Sequence, residues 1–396
     1  MMQRGWVTVA LCFLVATFEG VDLQAAGLVA PKIAPLFRLA PDQLGWFFSA
    51  STIGLVAGAL IGGRLADRIG RKLTLMIAMG VFGVFSITTA LSTGYEMLVA
   101  TRLLTGLGLG GALPNLIALT SESVTANRRS LAVALMYAGM PFGGGLASLL
   151  MALAGGANDW KDLFYIGGAA PLVAIPFLMF AIPESPKFAA QGGTVKAQLF
   201  DVLFGEGRAL KTIGLWISFF CALLVLYLLL NWLPTMLVSR GMPRPQASLV
   251  QAALNLVGVL GPVAVGVLMD GTARRWAVAG IFAALAVGLG IQAIAPAEFG
   301  IALVTGAVLG IGILGAQSVL YALAPSLYPT AVRGTGVGAA VAAGRLGSIV
   351  GPLLAGAMVG KGQSASQVLT ALLPLVLVSG VLAFLLADRK HAIQEN

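Results

Sequence analysis

The sequence predicts an all-α membrane protein with twelve transmembrane helices in two six-helix halves, on three observations. Hydrophobic residues fill 58% of the 396 positions and charged residues only 10%, far from the shares of an average soluble domain. Apolar runs of about 20 residues, enough to cross a hydrocarbon core of roughly 30 Å, recur from one end of the chain to the other. Gly63, Asp67, Arg71 and Lys72 are matched by Gly266, Asp270, Arg274 and Arg275, each 203 residues later, which marks an internal duplication.

The first span is expected over 6–28. Arg4 and the apolar run after it resemble a secretory leader, but Glu19 and Asp22 follow at once and many spans come after, so this segment reads as an uncleaved helix. The second span, 43–64, carries Gly54 and Gly58, small residues spaced for close helix contact. The third (73–93), fourth (96–118), fifth (130–154) and sixth (162–182) complete the first half. Residues 183–211, with Pro183, Pro186, Gly192, Gly193 and several charges, read as a cytoplasmic linker. The second half, 212–396, repeats the pattern with spans at 212–236, 245–269, 276–295, 299–323, 334–359 and 366–387, then a short tail. Runs this long and uniformly apolar satisfy their backbone as helices rather than as alternating strands.

Lysine and arginine set the orientation. With the N-terminus in the cytoplasm, Arg4, Arg64, Arg68, Arg71, Lys72, Arg128, Arg129, Lys187, Lys196, Arg208, Lys211, Arg274, Arg275, Arg333, Arg389 and Lys390 share that side. The other side holds only Lys32, Arg38, Lys161, Arg240, Arg244 and Lys361. The positive-inside rule then puts both termini in the cytoplasm. The net charge of +9 is a topology signal and does not point to nucleic acid. Cys12 and Cys221 read as small apolar fillers. His391 is the only histidine and falls in the tail. There is no zinc spacing and no phosphate-binding loop, so no enzyme, metal or cofactor is expected, and energy should come from an ion gradient.

Four charges remain inside the spans: Glu19 and Asp22 in the first, Arg102 in the fourth and Arg345 in the eleventh. A charge at bilayer depth costs roughly 2.5–3.5 kcal/mol, and residues kept at that cost usually mark a substrate or ion path. Glu19 and Asp22 are three apart and share a helix face. The first helix runs outward and places them at a depth comparable to Arg102, so a pairing is expected. Burial opposes the charged form of a carboxyl while a guanidinium favours it, and that competition suits a proton-coupling site.

Family resemblance enters at the loop after the second span. Gly63-Arg64-Leu65-Ala66-Asp67-Arg68-Ile69-Gly70-Arg71-Lys72 resembles the signature between helices 2 and 3 of the major facilitator superfamily. Arg102-Leu103-Leu104-Thr105-Gly106-Leu107-Gly108-Leu109-Gly110 resembles a second signature in helix 4. The resemblance implies two six-helix halves working by alternating access. It implies close packing at Gly63 at an inner gate, with Asp67 near the start of helix 11. Arg71, Lys72, Arg129, Asp270 and Arg333 are expected in the same charge network, and Glu122 is a gate acid expected near Arg128 or Arg129.

Glu19-Gly20-Val21-Asp22 is similar to the first-helix Asp-Gly-x-Asp pattern of the aromatic acid/proton symporters, with Glu in place of the first Asp. The stretches 112–122 and 317–325 extend the likeness to that family's 3-(3-hydroxyphenyl)propionate carriers. This implies import of a small aromatic carboxylate with protons. Arg345, near mid-membrane, suits the carboxylate, which a guanidinium grips through two parallel hydrogen bonds. Polar groups within the spans are Gln24, Asn115, Asn231, Asn255, Gln317, Ser318 and Tyr321. In the superfamily helices 1, 4, 7 and 10 line the cavity, which favours Gln24, Asn115, Asn231, Gln317 and Tyr321 as ligands. Phe18, Phe47 and Trp232 are expected at lipid or at the interfaces. The carrier is expected to work as a monomer in a bacterial inner membrane. Two rivals stay open: efflux, because 347–356 resembles an exporter motif although it lies in helix 11, and a membrane sensor that binds without transporting.

Overall fold

The computed structural model describes residues 2–125, 128–154, 159–181, 203–205, 208–269, 274–329 and 333–388. Asp270, His391 and most of 183–211 lie outside the described residues. Twelve helices among those described are long and apolar enough to cross a membrane, and the protein is a multi-pass membrane protein. Large apolar side chains such as Phe177, Phe180, Val267 and Trp276 stand exposed on helix surfaces, as a lipid solvent permits.

In chain order the helices are α1 (Met2–Leu36), α2 (Pro41–Ile69), α3 (Arg71–Ala90), α4 (Tyr95–Glu122), α5 (Arg129–Leu153) and α6 (Asp159–Ala181). They continue as α7 (Ala209–Ser239), α8 (Arg244–Leu268), α9 (Arg274–Ile294), α10 (Phe299–Leu323), α11 (Arg333–Gly360) and α12 (Ala365–Leu386). Most helices overrun their expected spans. α1 continues through Pro31 to Leu36, so Lys32 lies on helix and not in a loop. Polar hydroxyls inside the spans turn back onto their own helix: Thr17 donates to the Phe13 carbonyl at 2.9 Å and Thr105 to that of Thr101 at 2.8 Å, which satisfies them without water.

The stretch 63–72 needs correction. The sequence predicts a loop there, whereas α2 runs on to Ile69 and α3 starts at Arg71, leaving Gly70 as the whole connection. Gly70 has φ +92°, a backbone conformation that a side chain disfavours. Two spans are interrupted: α8 at Val259 and α12 at Leu372. Pro262 and Pro374 lack the N–H that the carbonyls four residues earlier would take. Phe47 and Trp232 also depart from expectation, being 0% and 1% exposed. Trp232 donates its indole N–H to the Pro352 carbonyl at 3.1 Å.

The chain divides into two compact units, Met1–Gly193 and Thr194–Asn396. In the first, α2 packs on α4, α1 on α5, and α3 on both α4 and α6, around a core that includes Leu75, Met79, Phe82, Leu109 and Met136. The second repeats this pairing, with α8 on α10, α7 on α11, and α9 on both α10 and α12. Glycines set these contacts. A Cβ on Gly54 or Gly58 would strike the carbonyls of Leu103 or Leu107, and one on Gly106 or Gly110 those of Ser51 or Leu55. α2 and α4 therefore meet backbone to backbone, the small-residue packing that membrane helices use when no hydrophobic force drives them together.

α10 meets α8 the same way, Gly310 against the Leu254 carbonyl. Gly110→Ala is accordingly expected to destabilise the first unit by about 1–3 kcal/mol, read as a lower thermal transition of the detergent-solubilised protein, with Gly63→Ala, which meets nothing within 4 Å, as the neutral comparison.

At the start of α7, Thr212 donates to the Leu203 carbonyl at 2.7 Å and stands 3.1 Å from the Tyr328 hydroxyl. Burial pushes the Tyr328 phenol above its usual range, opposed by the Thr212 hydrogen bond and the Arg208 guanidinium.

Candidate functional site

Among the described residues, each unit holds a polar centre that joins side chains of several helices. In the first unit it is built on Asp22 of α1, which is 0% exposed. Arg102 of α4 donates from Nη1 to Asp22 Oδ2 at 2.8 Å, and its Nη2 stands 3.4 Å from the Asp22 carbonyl oxygen. Ser86 of α3 donates to the other carboxylate oxygen, Oδ1, at 2.6 Å, a length typical of a charge-assisted hydrogen bond. α6 closes the centre: the Phe164 carbonyl is 3.2 Å from Ser86 Oγ, and the Phe164 ring lies 5.6 Å from the Arg102 guanidinium carbon. Four helices thus converge on one carboxylate. The expected Asp22–Arg102 pair is present. Arg102 Nε is buried with no hydrogen-bond partner among the described residues, a cost that packing around the pair must offset.

Glu19 is likewise buried, 1% exposed, and lies beside Cys12 on α1. Gln24 is buried on the same helix. Asn115 of α4 gives its amide N–H to the Gly111 carbonyl at 2.8 Å, so that donor serves its own helix.

In the second unit Arg345 of α11 is half-buried and donates from Nη1 to the Tyr227 hydroxyl of α7 at 2.8 Å. Tyr321 of α10 lies near Arg345 and Gln317 and packs edge-on against Phe219 with ring centroids 5.3 Å apart. Gln317 and Tyr321 are half-buried as well. Expected ligands Arg345, Gln317 and Tyr321 are therefore brought together. Asn231 is one turn from Tyr227 on α7 but spends its amide N–H on the Tyr227 carbonyl at 2.8 Å, as Asn255 does on Gln251 at 3.0 Å.

Four members of these centres are not among the residues expected from the sequence: Ser86, Phe164, Phe219 and Tyr227. Ser86 is one of three hydroxyls in Ser86-Ile87-Thr88-Thr89, and Tyr227 a lone phenol in a leucine run. Hydroxyls are common in such helices, usually bonded to their own turn, so neither stood out. Tyr227 sits four residues before Asn231, a spacing that shares a helix face, and that was the available signal.

The ends of α2 and α4 and the starts of α3 and α5 hold residues expected at a gate. Glu122, the last residue of α4, is ion-paired with Arg71 at the start of α3, a partner the sequence reading did not assign. Asp67 is exposed on the last turn of α2, Lys72 is half-buried, and Arg129 and Arg333 open α5 and α11. Gly63 and its repeat counterpart Gly266 both face open space, and the close approach expected at Gly63 falls at Gly62, which abuts Gly111. In the stretch that resembles an exporter motif, Gly347 and Gly351 press on the carbonyls of Phe220 and Leu224. That stretch is the α7–α11 contact. Gly143 of α5 presses on Thr17 in the same manner. Among the described residues no group of three or more histidine, cysteine or acidic side chains could hold a metal.

A family model described as Major Facilitator Superfamily matches residues 12–352 and 241–396. The chain is 46% identical to a protein of Escherichia coli (strain K12) named 3-(3-hydroxy-phenyl)propionate transporter, over 99% of this chain and 96% of that one. It is 37% identical to the 4-hydroxybenzoate transporter PcaK of Pseudomonas aeruginosa, over 93% of this chain and 89% of that one. Among solved structures, a D-xylose-proton symporter shares the fold with a TM-score of 0.77, at 20% identity over 96% of each chain.

Proposed function

The chain belongs to the Major Facilitator Superfamily, and from that premise we propose that it is a proton-coupled symporter importing an aromatic carboxylate by alternating access. The substrate class is that of its named relatives, with 3-(3-hydroxyphenyl)propionate or a related phenylpropionate favoured by the 46% identity. The observation that carries the reading is that the guanidiniums held within the membrane spans, Arg102 of the first unit and Arg345 of the second, stand in different settings. Arg102 is closed on a carboxylate, whereas half-buried Arg345 leans on the phenol of Tyr227 beside Tyr321 and Gln317.

The first arrangement suits proton exchange, because a buried carboxylate held by a permanent cation can trade that partner for a proton. Asp22 and Glu19 are the proton carriers in this reading, and Arg102 modulates them. The second suits an anionic ring. Arg345 takes the carboxylate through two parallel hydrogen bonds. Tyr227, Tyr321, Gln317 and Asn231 of the same unit are then available to the ring and its hydroxyl, and Gln24 and Asn115 are the candidate ligands of the first unit. Gly63, Asp67, Arg71, Lys72, Glu122 and Arg129 are the gating residues of the first unit in this reading, and Asp270 and Arg333 those of the second. The protein works as a monomer in a bacterial inner membrane with both termini in the cytoplasm, as the distribution of lysine and arginine favours.

Uptake of labelled phenylpropionates, benzoates and cinnamates by proteoliposomes, with and without an inward proton gradient, tests the reading. Gradient-driven accumulation of a phenylpropionate is expected. Binding without any uptake would leave a sensor, and accumulation only under an outward-directed exchange regime would leave an exporter.

A further inference from the structure

The hydroxyl of Ser86 lies between two acceptors, Asp22 Oδ1 at 2.6 Å and the Phe164 carbonyl at 3.2 Å. A serine hydroxyl has one proton to give and lone pairs with which to accept, so it serves these two oxygens one at a time. The surroundings leave little freedom. Ser86 is 0% exposed, and α3 and α6 cross here on glycine: Gly83 against Gly168, with a Cβ on Gly167 reaching within 3.6 Å of Ser86 Oγ. That crossing brings a backbone carbonyl of α6 within reach of a side chain of α3.

The two carboxylate oxygens of Asp22 differ in what they can tolerate. Oδ2 faces Arg102, which only donates and does not lose its proton, so an acid hydrogen on Oδ2 would confront another donor. A proton arriving at Asp22 therefore belongs on Oδ1, where the side chain waiting is Ser86. The charged groups on the surrounding helices are few. Glu19 lies a turn away on α1, which also carries Lys32 toward its far end, and α4 supplies Arg102 and carries Glu96 and Glu122 at its two ends. α3 opens with Arg71 and Lys72, α6 carries Lys161 and Asp162 in its first turn, α2 has Asp42 near its start and Arg64, Asp67 and Arg68 near its end, and α5 opens with Arg129.

We propose that Ser86 is the positioning residue of the proton site: its hydroxyl donates to Asp22 Oδ1 while the carboxylate is ionised, and turns to the Phe164 carbonyl when Asp22 is protonated. In the second state the acid O–H of Asp22 donates to Ser86 Oγ. No bond within serine breaks; the only proton gained comes from solution, and the hydroxyl rotates about its Cβ–Oγ bond. Loading a proton thus replaces the Ser86-to-Asp22 hydrogen bond by one from Asp22 to Ser86 and adds a hydrogen bond from α3 to α6. The proposal rests on Asp22 being the proton carrier.

The test is a pH titration of the reconstituted protein by infrared difference spectroscopy, following the carbonyl band of a protonated carboxyl that Asp22→Asn removes. A charge-assisted bond is lost from the ionised form and a weaker neutral one from the protonated form. Ser86→Ala is therefore expected to move the midpoint of that band about one pH unit upward, and to raise its frequency because the acid O–H has lost its acceptor. Ser86→Thr, which restores the hydroxyl, is expected to return both toward the parent values.

A purely packing role for Ser86 would change yield or thermal stability without moving midpoint or frequency. A Ser86→Ala band with parent midpoint and frequency overturns the proposal while leaving Asp22 as the carrier. Absence of any band sensitive to Asp22→Asn overturns the Asp22 reading itself. Should Ser86→Ala not fold, Ser86→Cys, a weaker donor of similar size, is expected to give the same upward movement, and its lack is equally decisive.

Discussion

Asp22→Asn is expected to abolish uphill accumulation of substrate, collapsing the inside-to-outside ratio in proteoliposomes to unity under an inward proton gradient. The asparagine carboxamide has the shape of the carboxylate and can accept from Arg102 and donate toward Ser86. It cannot carry a proton through the cycle, so the gradient loses its handle on transport. The same change leaves the Arg102 guanidinium, only 1% exposed, without its counter-charge. Breaking a buried pair from one side costs about 3–5 kcal/mol, so a lower thermal transition is expected alongside the loss of coupling. Exchange of labelled for unlabelled substrate at equal pH, which needs no net proton movement, separates the two effects. Residual exchange with no accumulation is the signature of lost coupling, and accumulation undiminished in Asp22→Asn would place the proton elsewhere.

The second large effect is expected at Arg345. A hydrogen bond to a charged group is worth about 1.5–3 kcal/mol, so Arg345→Ala should weaken binding of a phenylpropionate roughly 10- to 150-fold. Arg345→Lys keeps the charge but not the two-pronged geometry and should recover part of that loss. Calorimetric titration of the purified protein reads both. Tyr227→Phe removes the hydroxyl that receives Arg345 Nη1 and is expected to weaken binding less than Arg345→Ala does. A folded Arg345→Ala protein that binds the acid as the parent does would assign this arginine to helix packing alone.

Much of this scaffold could be read from the residues. Long apolar runs, counted in a solvent that leaves the backbone no alternative to helix, correspond to the twelve membrane helices. Asp22 and Arg102 found each other because charges inside spans are few and each needs a partner. The helix ends were less legible. α2 runs to Ile69 because polar residues such as Arg64, Asp67 and Arg68 end an apolar pattern without ending a helix, and only the backbone angle at Gly70 does that. The breaks at Val259 and Leu372 were available from Pro262 and Pro374, whose missing N–H groups free a carbonyl in the preceding turn.

Aromatic placement was read wrongly at Phe47 and Trp232, since composition does not reveal which face of an all-apolar helix turns inward. Ser86 and Tyr227 escaped for a different reason: a hydroxyl in a membrane helix most often answers its own turn, and only the crossing of α3 on α6, or of α11 on α7, tells which do not.

The glycine seams between α2 and α4 and between α8 and α10 carry a consequence for how the specificity of such a protein can change. Where main chain rests on main chain, the spacing between helices is fixed by atomic radii common to every amino acid, and no side chain mediates it. Positions that face a cargo can then be exchanged without disturbing the frame that presents them. A scaffold of this kind is free to acquire new chemistries at Arg345, Gln317 or Tyr321, while it tolerates almost nothing at Gly58 or Gly110.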